Sequence, residues 1–131
     1  MESSDLVKSL EKLAIDESVP AGSVLFRRGD PVSGVFIVRS GKVVLIWADH
    51  PGNVLPLDTV GPGGLIGLPA ALNGDYSVTA RAVEDCKLGF IPANTVLHLL
   101  DCDTRLMQSA LKFLAQELAR MRELFLRSSD S

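Results

Sequence analysis

Apolar positions recur with two different periods along this chain, and the period changes twice. Near the start, Leu6, Leu10 and Leu13 fall at helical spacing. Ser3 and Ser4 are helix-capping types, and Asp5 adds first-turn negative charge, so a short helix is expected over 4–14. After Ile15 turn residues punctuate the chain: Pro20-Ala21-Gly22, Gly29-Asp30-Pro31, Ser40-Gly41-Lys42, Pro51-Gly52-Asn53, Gly61-Pro62-Gly63-Gly64 and Asn73-Gly74. The runs between them are short and rich in Val, Ile, Leu and Phe, which is the pattern of an antiparallel sandwich or barrel. Strands are expected at Glu17–Val19, Val24–Arg27, Val35–Arg39, Val43–Ala48, Leu55–Val60, Ser77–Val83 and Lys87–Ile91. Val35–Arg39 and Val43–Trp47 are apolar almost throughout, so they read as a hairpin covered on both faces.

At Pro92 the period becomes helical again. A short helix is expected over Ala93–Leu100, then a long one over about 104–127, capped by Asp101 or Asp103. In the long helix Met107, Leu111, Leu114, Leu118, Met121 and Phe125 are spaced 4, 3, 4, 3, 4, an a/d seam of nearly three heptads. A second stripe holds Leu106, Ala110 and Phe113. One stripe is expected to dock on the β domain and the other to meet a second copy, giving a parallel homodimer; the alternative is that both pack within one monomer. The whole is expected to be a single domain over 1–131: an N-terminal helix (4–14), a β core (15–92) and C-terminal helices (93–127).

Composition adds constraints. The chain has 131 residues, 47% of them hydrophobic, enough for a real core. No apolar run approaches the roughly 18–20 residues of a membrane helix, and the charged start lacks the core of a signal peptide, so the expected location is cytoplasmic with no membrane partner. A net charge of −3 argues against binding nucleic acid through this chain. Cys86 and Cys102 are expected as two buried thiols rather than a disulfide. Catalysis is not expected. His50 and His98 have no second His at metal-ligand spacing, and neither cysteine has an adjacent base. The carboxylates of Asp16, Glu17, Asp30, Asp49, Asp58, Asp75, Glu84 and Asp85 read as solvated charge at strand ends and turns. No metal site is expected.

The segment "GGLIGLPAALNGDYSVTARA" (63–82) has glycines, a short apolar helix and an exit strand, the form of an anion-binding loop. With "VPAGSVLFRRGDPVSGVFIVRSGKVVLIW" upstream, it resembles the cyclic-nucleotide-binding domain of the Crp/Fnr regulators. The matching positions are Pro20, Gly22, Leu25, Phe26, Gly29, Asp30, Phe36, Ile37, Gly41 and Val43, followed by the cassette and the closing helices. The resemblance covers roughly residues 5–127. It implies a mainly β fold, a jelly-roll-like eight-stranded β-roll (a double-stranded β-helix), with flanking helices and a long C-terminal dimerisation helix. It also implies a cytoplasmic regulator that answers to a small effector. Family regulators carry a helix-turn-helix domain after that helix. None follows within these 131 residues, so a sensor half or a stand-alone module is expected.

The resemblance further implies a ligand-binding set around the cassette: Ile66, Gly67, Leu68, Ala70, Tyr76, Ser77 and Thr79. In the family, backbone N–H groups and an Arg hold the cyclic phosphate, and a Glu takes the ribose hydroxyl. By position the Glu is Leu68 and the Arg is Tyr76, while Gly67 and Ser77 are retained. Arg81 matches a later family arginine beyond the phosphate. Removing each buried charged partner costs on the order of 2–5 kcal/mol, enough together to move micromolar binding toward millimolar. cAMP or cGMP is therefore disfavoured as a ligand, and no other cofactor is indicated. Three readings stay open: a sensor whose pocket is collapsed or takes another effector, with Tyr76 OH, Ser77 and Thr79 as polar contacts; a cyclic-nucleotide binder using backbone amides and Ser77; and a purely structural dimerisation module.

Overall fold

A computed structural model describes residues 2–48 and 54–130, and only the backbone course for residues 2–4, 48, 124, 125 and 127–130. His50 and Asp49 lie outside the described residues. The elements run α1 (Glu2–Glu11), β1 (Ile15–Val19), β2 (Val24–Phe26), β3 (Gly34–Ser40), β4 (Val43–Ala48), β5 (Val54–Val60), β6 (Leu65–Ile66), α2 (Leu68–Asn73), β7 (Thr79–Ala82), β8 (Cys86–Pro92), α3 (Ala93–Cys102) and α4 (Thr104–Asp130). The strands form two antiparallel four-stranded sheets, ordered β1-β8-β3-β6 and β2-β7-β4-β5. This is the jelly-roll-like β-roll with flanking helices and a long C-terminal helix.

The order of elements follows the sequence pattern, and the differences have local causes. The two-residue strand β6 is too short to show a period, and it pairs with Phe36 and Ile37 of β3. The exit strand begins at Thr79 instead of Ser77, and α3 runs on to Cys102. The expected hairpin of Val35–Arg39 with Val43–Trp47 does not form. β3 pairs with β8 and β6, while β4 pairs with β5 and β7 in the other sheet. The chain crosses between sheets at Gly41, whose φ of +91° lies in the left-handed region. A Cβ there would stand 2.5 Å from the Asp85 carbonyl oxygen and 2.7 Å from Cys86 Sγ, so glycine is required for this crossing. β3 is enclosed because a core lies on each of its faces, whereas β4 is only half-buried from Val44 to Trp47.

β3 explains how the core is divided. Val35 and Ile37 point into a cluster closed by Leu6 and Leu10 of α1, Val96 and Leu100 of α3, and Leu106 and Ala110 of α4. Phe36 and Val38 point the other way, into the space between the sheets with Phe26, Val43, Ala80, Ala82 and Leu88. The two-residue alternation of a strand thus feeds two cores. Full burial of a Val, Leu, Ile or Phe contributes roughly 1.5–3 kcal/mol. Asp103 caps the start of α4, its Oδ1 accepting from the N–H groups of Arg105 (3.0 Å) and Leu106 (3.2 Å).

Candidate functional site

The cassette sits where the two cores meet. Gly67 (φ +94°) precedes α2, Pro69 occupies its first turn, and Gly74 (φ 106°) ends it by donating its N–H to Ala70 O at 2.7 Å. A Cβ on Gly67 would lie 3.1 Å from the Gly34 carbonyl oxygen, so the loop is pressed onto the start of β3.

Leu68 and Tyr76 leave the cassette in opposite directions. Leu68 is fully buried in the helical cluster with Val35, Ile91 and Val96. Tyr76 is 3% exposed in the inter-sheet cluster, its ring stacked on Phe26 with centroids 3.7 Å apart. The Tyr76 hydroxyl donates to Gly34 O (2.7 Å) and accepts from the Gly34 and Ser33 N–H groups (3.2 and 3.3 Å). It therefore bonds the head of β3 and offers no contact to a ligand. Thr79 Oγ1 accepts from Arg28 N–H at 3.0 Å, outside the cassette cavity. Arg81 is an exposed residue of β7.

A cavity of about 60 Å³ remains beside the cassette. Ile66, Gly67, Ala70, Tyr76 and Ser77 line it, whereas Leu68 and Thr79 do not. Phe26, Leu45 and Leu57 form its wall, and Phe113, Glu117, Arg120 and Met121 of α4 close it. At the rim Arg120 Nη1 donates to Asp58 Oδ2 at 2.6 Å, and Arg120 Nη2 pairs with Glu117 Oε2. Asp58 is the fifth of seven residues in β5, not a strand end, and it is ion-paired across the fold rather than simply solvated. These rim residues were missed in the sequence. A signal was present: the Leu106, Ala110, Phe113 stripe continues at heptad spacing to Glu117 and Arg120, so the docking face turns polar where it meets the cassette. A larger groove of about 590 Å³ adjoins the cavity through Tyr76, Ser77 and Met121, with Arg28 lying 5.0 Å from the centroid of Trp47.

The seam expected on α4 is split. Met107 and Leu114 pack partly against the helical cluster, and Met121 lines the cavity. Leu111 and Leu118 are 57% and 69% exposed. The Phe125 side chain lies outside the described residues.

The cysteines differ from expectation. Cys86 is buried and Cys102 is exposed; both are free. Burial pushes the Cys86 thiol up, and its Sγ donates to the carbonyl oxygens of Lys42 (3.3 Å) and Glu84 (3.2 Å). Cys102 does have a neighbouring base, because four residues along α3 bring His98 Nε2 to 3.7 Å from its Sγ. Among the described residues no group of three metal-ligand side chains converges, and no helix is long and apolar enough to cross a membrane.

The comparisons with known proteins agree with this fold. The chain is similar to the Cyclic AMP receptor protein of Thermus thermophilus, 39% identical over 53% of this chain and 32% of the relative. It is similar to the Anaerobic regulatory protein of Pasteurella multocida, 25% identical over 82% of this chain and 40% of the relative. The chain thus spans less than half the length of these relatives. The crystal structure of Thermus thermophilus Catabolite Activator Protein superposes with a TM-score of 0.80 at 29% identity, covering 95% of this chain and 59% of that one. The model of the cyclic nucleotide-binding domain matches residues 16–103, from β1 through the cassette to the turn before α4. With the β-roll, the cassette and the closing helix in the same order, the chain belongs to the cyclic nucleotide-binding domain family.

Proposed function

We propose that this chain is a non-enzymatic regulatory module, the effector domain of a Crp/Fnr-type transcription regulator, whose cassette has lost its affinity for cyclic nucleotides. The reading draws on relatives named as a cyclic AMP receptor and an anaerobic regulator. The observation that carries it is the fate of the two anchor positions: Leu68 and Tyr76 are built into the cores. Among the described residues Arg120 is the one cation in the cavity lining, and it is engaged by Asp58 and Glu117. A buried phosphate needs a counter-charge. The cavity itself, about 60 Å³ apart from the adjoining groove, is smaller than the roughly 300–1,000 Å³ of ligand pockets. Calorimetry with cAMP and cGMP is expected to show no saturable binding below about 100 µM, and a low-micromolar Kd overturns the reading.

The output face is α4. Leu111 and Leu118 expose apolar surface one heptad apart, which favours a parallel homodimer through this helix. Sedimentation of Leu111→Gln/Leu118→Gln is expected to give a monomer where the parent chain is a dimer. An unchanged dimer removes this part of the reading.

A further inference from the structure

The interior of the cassette cavity and its rim differ in chemistry. Inside are Phe26, Ile66, Ala70 and the ring of Tyr76, whose hydroxyl is already bonded elsewhere. At the rim two carboxylates share one guanidinium. Asp58 Oδ2 and Glu117 Oε2 both pair with Arg120, and Asp58 Oδ1 accepts from the N–H of Thr59 at 2.9 Å. The side chains of Asp58 and Glu117 are 29% and 22% exposed, whereas Arg120 is 53% exposed. The anions are therefore the more enclosed partners, and two carboxylates against one guanidinium leave one net negative charge beside an apolar space. Carboxylates held partly out of water are stabilised by an added cation, and an added anion is repelled.

We infer that this cavity takes a small aliphatic amine, with its alkyl chain inside and its ammonium group between Asp58 and Glu117. The inference deepens the regulatory reading and rests on it. An alkylammonium titrates near the lysine value of about 10.4, so it is charged at neutral pH. Its three N–H donors match the carboxylate oxygens at the rim. Addition of the ammonium brings the rim to neutrality while Arg120 keeps both partners. Scaled from an apolar cavity of about 150 Å³ that accepts benzene, the space suits a chain of about three carbons. The rim charge is thus opposite in sign to the one a cyclic phosphate requires.

The test is a methyl NMR titration of the whole chain with n-propylammonium chloride, n-propanol and sodium propionate at matched ionic strength. Propylammonium is expected to shift the methyl signals of Ile66, Leu57 and Ala70 saturably. Propanol should bind about tenfold more weakly for want of charge-assisted hydrogen bonds, and propionate should leave these signals in place. Glu117→Gln and Asp58→Asn are each expected to narrow the gap between amine and alcohol. Three results overturn the inference: propionate binding as tightly as the amine, no saturable shift with the amine, or an undiminished gap in both variants. A parallel cAMP titration separates the two levels. Tight cAMP binding overturns the regulatory reading itself; silence toward both cAMP and the amine overturns only the ligand class.

Discussion

The two cores treat the cassette differently. The helical cluster receives Leu68 as a purely apolar contact, sealed by α1, α3 and α4. The inter-sheet cluster receives Tyr76, which brings a hydroxyl and satisfies it fully on Ser33 and Gly34. One core has no place for polarity, and the other accepts it where β3 offers both donors and an acceptor. An apolar contact at Leu68 and a bonded aromatic at Tyr76 are two ways to fill a cassette position without leaving its side chain free for a ligand.

Leu68→Glu separates the two cores most sharply. It supplies the residue type that the resemblance implies at this position, yet it places an unpaired carboxylate in the drier core. A loss of about 4 kcal/mol is expected from urea denaturation. A variant with the parent midpoint would mean that position 68 is not enclosed. Tyr76→Phe tests the other core. The stack on Phe26 remains, but the Gly34 carbonyl and two N–H groups lose their partner, for about 1–3 kcal/mol. If Tyr76→Phe costs nothing, water replaces the hydroxyl and the inter-sheet cluster tolerates polarity even without the bond.

The smallest effect concerns Cys86, a member of the inter-sheet cluster. Burial raises its folded pKa above the unfolded value, so the native state holds the thiol proton longer. Stability from this group is complete below the unfolded pKa of about 8.5 and is lost as pH rises through the range up to the folded value. The slope is expected to be at most about 1.4 kcal/mol per pH unit, and smaller in Cys86→Ala. An equal alkaline slope in Cys86→Ala assigns the loss to other groups.

Much of this was legible in the sequence where a period or a fixed spacing carried it. The apolar run of β3 and the α4 stripes needed only local order. What was not legible depended on pairs far apart in sequence. Asp58 and Arg120 are 62 residues apart, and strand position alone made Asp58 look like solvated charge. The direction of the Tyr76 hydroxyl depends on Gly34, 42 residues away. The separation of β3 from β4 could not be read either, because a strand flanked by core on both faces and a strand covered by its hairpin partner have the same composition.

The position of the cavity along α4 has a mechanical consequence. The helix is anchored near its start, where Ala110 is fully buried, and it passes the cavity rim at Glu117 before running on to Asp130. At about 1.5 Å rise per residue, Glu117 stands about 10 Å from that anchor and Asp130 about 30 Å. As a rigid lever pivoting at Ala110, α4 would magnify a displacement at the rim about threefold at its far end. Anything that widens the rim by the breadth of a single bond is then delivered as a shift of several ångströms at Asp130.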